Sequence, residues 1–262
     1  MAAMRIVAWN IRAGGGRRVD TIAEQLAAWD ADIAVLTEFR DTPPSRALAA
    51  SLAELGLPHQ RSTATTTAPG ANEVLVASRW PFRRTRRPCE PPSASRWLHA
   101  TIDSPSPLAL VGLHIPIGRP RQQPYYNAVL ETMRRWRRRP AIITGDTNSG
   151  RPGADEESPT FGPRHTAWFD AIEALGWRDT FRHLHPGGRD YTWYSPNASN
   201  GFRLDQAFVS PALLPAVRAM RHEWARDPAA DGRRDAVSDH AALLLDLDIP
   251  GNDGSTHEFA AR

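Results

Sequence analysis

The stretch AIITGDTN, residues 141–148, carries a short apolar, partly β-branched run into a glycine, a carboxylate (Asp146) and, two positions on, a carboxamide (Asn148). Taken alone it is a strand that stops, because Gly, Asp and Asn all favour turns. The same ending recurs, however. RIVAWN (5–10) closes on Asn10, ADIAVLTEF (31–39) reaches Glu38, and LALVGLHIP (108–116) reaches His114. Two later runs have their polar groups at the start instead: RLDQAFVS (203–210) opens near Asp205, and SDHAALLLDL (238–247) opens with Asp239 and His240. If those two run antiparallel to the first four, all six polar termini gather on one edge.

Working outward, strand-length apolar runs lie at 5–9, 33–37, 74–77, 98–102, 108–113, 141–144, 204–209 and 241–247. Helix-like stretches lie at about 19–29, 44–55, 123–138, 166–175 and 211–219. The mixture indicates an α/β (α+β) fold with more strands than one simple open sheet needs, so two packed sheets with helices outside are expected. RSTATTTAPGAN (61–72) and RPGADEESPTFGPRH (151–165) read as exposed loops. A single domain over 1–249 is expected, followed by a flexible tail at 250–262 that has little to bury.

Composition narrows the class. The 262 residues are 41% hydrophobic and 23% charged, enough for a sizeable core. No apolar run approaches about 18 residues, which excludes membrane insertion by a helix. The start lacks a signal-peptide pattern, and the single Cys89 rules out an internal disulfide framework, so a reducing, cytoplasmic setting is expected. All 32 basic residues are arginine, and the net charge is +3. Arginine is well shaped for bidentate phosphate contact. Of its clusters, Arg83 to Arg87, Arg134 to Arg139 and Gly232 to Arg234, the middle one reads as a solvated helix end, where cations favour the macrodipole.

The chemistry open to the gathered termini is narrow. Several carboxylates with carboxamides are hard oxygen ligands, suited to Mg²⁺ or Mn²⁺ meeting a substrate phosphate. Crowded carboxylates repel unless a cation or proton intervenes. Two histidines without cysteine partners or HExxH spacing do not suit structural zinc. Singly, each residue has a plain structural role: Asn10 ends a strand, Glu38 caps a helix, Asp205 pairs with Arg203, His240 sits satisfied at an edge. Together at strand termini they indicate a site. Asp239 and His240 must diverge, since successive strand side chains alternate, and Asp146 and Asn148 share a side if the extended geometry persists.

In this order, VAWNIR (7–12), ADIAVLTEF, NEVLVASRWP (72–81), VGLHIP, ITGDTN, RLDQAFVS and SDH (238–240) resemble the endonuclease/exonuclease/phosphatase superfamily of metal-dependent phosphoesterases across residues 5–247. The resemblance implies a four-layer α/β sandwich of two mixed β-sheets flanked by helices. It also implies Glu38 as principal metal ligand with Asn10 and Asp239 near it, and Asp146 as the group that orients and deprotonates water. Asn148 and His240 would hold phosphate oxygens, with Asp205 fixing the His240 ring.

LGWRDTFRHLHP (175–186), YTWYSP (191–196) and GFRLDQAFVS (201–210) are similar to the exonuclease III-like, abasic-site branch, in which Phe202 and Trp193 would enclose a sugar. Three positions depart from it. His114 and Glu73 look more like the pancreatic-type deoxyribonuclease branch, and Arg12 stands where the abasic-site branch usually has an aspartate. The expectation drawn is that Glu73 contacts His114 and raises its pKa toward neutrality, making it an acid. The function implied is hydrolysis of a phosphodiester in nucleic acid. Alternatives are a phosphatase or phosphodiesterase for a small-molecule or lipid head-group ester, and a non-catalytic binding module.

Overall fold

Along β1 (Ala2–Asn10), Met4, Ile6 and Ala8 enter one apolar cluster while Val7 and Trp9 enter another, because successive side chains of an extended chain leave on opposite faces. A strand buried on both faces must be covered twice, and the rest of the chain supplies both covers. The structure, a computed structural model, describes residues 2–84, 89–197, 199–225 and 236–249.

After β1 come α1 (Val19–Ala28), β2 (Ile33–Phe39), α2 (Pro43–Glu54), β3 (His59–Ser62) and β4 (Glu73–Ser78). Then follow β5 (Phe82–Arg83), β6 (Trp97–Ile102), β7 (Leu108–His114), α3 (Arg119–Trp136), β8 (Ala141–Asp146), α4 (Pro163–Ala174), β9 (Arg178–Asp179) and α5 (Thr180–Leu184). The series ends with the short pair β10 (Trp193–Tyr194) and β11 (Gly201–Phe202), then β12 (Asp205–Val209), β13 (Val217–Glu223) and β14 (Ala242–Ile249). One six-stranded sheet has the order β13-β14-β1-β2-β4-β3, and the other β5-β6-β7-β8-β12-β9. Each mixes parallel and antiparallel pairs.

The central core lies between the sheets, with Ile6, Val35 and Val74 of the first meeting Leu110, Ile142 and Val209 of the second. Outside the first sheet, Ile22 and Leu26 of α1 and Leu48 and Leu52 of α2 cover Val7 and Leu36. Outside the second, Val129 and Met133 of α3 and Trp168 of α4 cover Val111 and Ile143. This is the expected four-layer sandwich. Two glycines set its closest approaches. A Cβ on Gly112 would stand 2.7 Å from Val35 Cγ1 of the opposite sheet. Gly145 has φ +133°, and a Cβ there would lie 2.1 Å from the Leu113 carbonyl oxygen, so only glycine fits directly before Asp146.

All eight strand runs and four of the five helices read from the sequence are present. The helix expected at 211–219 is instead a 3-10 turn, Leu214–Ala216, running into β13. Pro215 lacks the N–H a helix needs, and Val217 onward pairs with β14. The loop expected at 61–72 starts as the end of β3. The segment expected to be exposed at 151–165 buries Asp155 and Glu156 and enters α4 at Pro163. Arg134 and Arg135 close α3 in solvent, paired with Glu131, as read. Among the described residues no helix is long and apolar enough to cross a membrane. Residues 85–87 of the first arginine cluster, the Gly232 to Arg234 cluster and the 250–262 tail lie outside the described residues.

Candidate active site

Strand directions bring the polar termini together. β1 and β2 are parallel, as are β7 and β8, where His114 stands opposite Asp146. β12 runs antiparallel to β8 with Asp205 opposite Asp146, and β14 runs antiparallel to β1. The carboxyl ends of β1, β2, β7 and β8 therefore share an edge with the amino ends of β12 and β14. Asn10 bridges the sheets directly, its Nδ2 donating to Asp146 Oδ2 at 3.0 Å.

His240 Nδ1 bonds to Asp205 Oδ2 at 2.8 Å, leaving Nε2 4.0 Å from Asp146 Oδ2. His114 Nε2 stands 3.6 Å from the same oxygen. Asn148 does not continue the strand: its φ is +45°, its N–H donates to Asp146 Oδ1 at 2.9 Å, and its Nδ2 donates to the Ile115 carbonyl at 2.8 Å. The expectation that Asn148 and Asp146 share a strand face fails here because the strand ends at Asp146. Its place is set by hydrogen bonds instead.

Electrostatics separate the groups. Burial pushes the Asp146 carboxyl up to about 7, with Asp205 adding to the rise while His240 and hydrogen bonds from Asn148 and Asn10 oppose it. Burial disfavours a charged His240, but the Asp205 charge and hydrogen bond outweigh it and hold the ring up at about 9. His114 moves the other way. Burial, then Arg96 and His240, drop it to about 3, so it is a neutral ring.

Glu38, Arg12 and Asp239 form the outer part of the rim. Glu38 sits at φ +60° and its Oε2 accepts from the Ala13 N–H at 2.7 Å. A non-glycine residue held there costs on the order of 1–3 kcal/mol, a strain that clusters at functional positions. Arg12 Nε lies 3.9 Å from Asp239 Oδ2. The Arg18 guanidinium feels the charges of Arg12, Asp239 and Glu38 and donates to the carbonyls of Ile11, Arg12 and Val237. It thus staples the β1 end to the segment that carries Asp239 and His240.

Among the described residues, Asp146, Asp205 and His240 are three whose ligating atoms all lie within 4.8 Å of one another. Glu38 and Asp239, expected as ligands, stand on the same rim outside that group. The chemistry suits a hard divalent cation, because Asp205 Oδ1 is buried without a partner and the Asp205 charge adds to the upward shift of Asp146.

The expected Glu73–His114 pair is not formed. Glu73 is buried at the start of β4, opposite Phe39, and its Oε2 has no partner. His114 Nδ1 has none either, and the pKa of the ring is lowered rather than raised. The reason is that burial dominates at His114 and no carboxylate reaches Nδ1 to offset it. Phe202 and Trp193 do come together, paired across β10 and β11 with ring centroids 5.9 Å apart, and Trp193 lies 6.3 Å from the His240 ring.

Four supporting residues were not singled out from the sequence. Gln122 Nε2 donates to the Asn148 carbonyl at 3.0 Å and is itself held by Arg164. Thr192 Oγ1 accepts from the N–H groups of Leu204 and Asp205. Trp9 Nε1 donates to the His240 carbonyl, and Ser238 Oγ to the Asn10 carbonyl. Only Ser238, beside Asp239, carried a positional hint. The others act through contacts with no local pattern.

Residues 7–240 match the model described as the Endonuclease/Exonuclease/phosphatase family. An exodeoxyribonuclease from Streptococcus pneumoniae is 27% identical over 125 residues, 42% of each chain, so the match spans less than half of that relative. Among solved structures, a 3'-5' exonuclease from Neisseria meningitidis superposes with TM-score 0.75 at 24% identity, over 94% of this chain and 100% of its own. An AP endonuclease from Archaeoglobus fulgidus gives TM-score 0.75 at 20% identity with the same coverage. A 3' phosphatase from Neisseria bound to a product DNA hairpin gives 0.74 at 23%, again covering 94% and 100%. At these identities the structural likeness is one of fold.

Proposed function

We propose, from the premise that this chain belongs to the endonuclease/exonuclease/phosphatase family, that it hydrolyses phosphodiester bonds of nucleic acid with Mg²⁺ or Mn²⁺ as its cation. The observation that carries the reading is the buried Asp146–Asp205–His240 group, tied across both sheets by Asn10. Two of its members, Asp146 and His240, are both shifted upward, and each shift suits a different role. Asp146, with a pKa near 7, accepts the proton of the attacking water. His240, protonated and oriented by Asp205, donates Nε2–H to a phosphoryl oxygen.

Asn148 presents its remaining amide hydrogen to the phosphate, its other one being held by Ile115. His114, as a neutral ring, offers a hydrogen-bonding edge rather than a proton. Glu38, with Asn10 and Asp239, would hold the cation, which supplies neutralisation of charge growing on the phosphoryl oxygens. Arg12 stands opposite Asp239 as a phosphate contact. Trp193 and Phe202 form an apolar wall beside His240, fitted to a sugar or base.

The test is a panel of abasic duplex, plain duplex, single-stranded DNA, RNA, and soluble and lipid phosphoesters, each with and without Mg²⁺, using the Asp146→Asn variant as blank. Cation-dependent cleavage of a nucleic acid is expected. Turnover restricted to small or lipid esters would overturn the substrate class, and no turnover of any ester would overturn the enzyme.

A further inference from the structure

Ile117 is 74% exposed, against 48% for Leu55, the other large apolar side chain left in solvent among the described residues. A lone surface isoleucine needs no explanation. This one stands three positions after His114, on a segment that the site itself fixes. The Ile115 N–H donates to the Asp146 carbonyl at 2.8 Å, and the Ile115 carbonyl accepts from Asn148. Gly118, at φ +97°, then turns the chain into α3 and leaves Ile117 at the apex.

Its surroundings are cationic. Arg119 and Arg121 follow it, and Arg121 and Arg96 line a cavity of about 370 Å³ with Ser93, Ser95, Pro116 and Tyr125. Several arginines elsewhere on this surface, such as Arg5, Arg79, Arg135 and Arg151, are paired with carboxylates. Among the described residues no carboxylate lies within 4.0 Å of Arg96, Arg119 or Arg121. The Arg96 charge reaches His114, so this cavity adjoins the catalytic groups.

We infer that Ile117 is a wedge, and the arginines about it a phosphate clamp, for the base-paired flank of a nucleic acid lying beside the scissile bond. The inference rests on the proposed function and sharpens it. A fixed apolar tip among unpaired guanidinium groups matches a polymer whose charges border stacked apolar faces. Apolar side chains of this kind enter base steps, and arginines take up the phosphates on either side. A small phosphoester offers nothing for the tip to enter.

The experiment compares wild type, Ile117→Ser, Arg121→Ala and, as a surface control, Leu55→Ser. The substrates are a duplex oligonucleotide, the same sequence single-stranded, and bis(4-nitrophenyl) phosphate, with Mg²⁺ at several salt concentrations. Ile117→Ser should lower the ratio of duplex to small-ester kcat/KM about tenfold, mostly through KM, with little change in the single-strand to small-ester ratio. Arg121→Ala should reduce the slope of log affinity against log salt by about one. Equal ratios in wild type and Ile117→Ser, or the same loss on single and double strands, would overturn the wedge while leaving nucleic-acid cleavage intact. Wild-type cleavage of the small ester alone would instead remove the functional reading on which the wedge depends.

Discussion

Arg203 and Asp205, two positions apart, are both sealed from solvent, yet they belong to different clusters of charged side chains. Arg203 Nε contacts Asp155 Oδ1 at 2.9 Å, its two terminal nitrogens meet both oxygens of Asp179 at 3.2 and 2.5 Å, and Arg182 adds a second cation on Asp155. There two cations face two carboxylates. Burial pushes Asp155 up, but Arg203 and Arg182 more than reverse it, and its carboxyl lies below the usual range. Around Asp205, two carboxylates share one imidazole, one oxygen of Asp205 is left without a partner, and Asp146 is pushed up. Burial is common to both, so charge balance makes the difference. The balanced cluster is a strut, and the unbalanced one is a site that calls for a cation and a proton acceptor.

The unbalanced cluster is most sensitive at Asp146. Asp146→Asn should slow cation-dependent hydrolysis about 10²–10⁴-fold, while the urea midpoint stays level or rises, because a repelling charge next to Asp205 is gone. A normal rate with lowered stability would erase the distinction. Arg203→Ala should do the converse and lower unfolding free energy by about 3–5 kcal/mol, the usual consequence of leaving buried carboxylates unpaired. A wild-type midpoint in that variant would show the strut to be ornamental.

The smallest effect is in pH. Because Asp155 has a lower pKa folded than unfolded, its stabilising contribution is complete above the ordinary carboxylate range of about 4 and drains away as pH falls through the folded value. Wild-type midpoints should therefore fall on the acid side. Arg203→Ala should flatten that decline, and an identical acid limb in both proteins would show that the strut does not contribute to it.

Much of this was legible in sequence because strand runs buried on both faces announce themselves, and because Asn10, Glu38, His114, Asp146, Asp205 and His240 each abut one. What was illegible depends on partners distant along the chain. Asp155 and Glu156 look like loop residues until Arg203 and the backbone N–H groups of Gly153, Thr160 and Phe161 reach them. Gln122 is one more polar residue at a helix start until Asn148 leans on it. The Glu73 expectation failed for the opposite reason: it was carried over from a resemblance, and burial at His114 outweighs the Asp205 charge that opposes it. The strand at 217–223 was hidden because Leu213, Leu214 and Val217 have helical spacing, and only Pro215 and pairing with β14 decide otherwise.

The order of the first sheet has a bearing on biosynthesis. β1 is flanked by β2, made soon after it, and by β14, made near the end of the domain, and Arg5 finds Asp246 across 241 positions. His240 arrives in the same late segment. A ribosome must therefore translate nearly the whole of the first sheet's span before Asp146, Asp205 and His240 can meet.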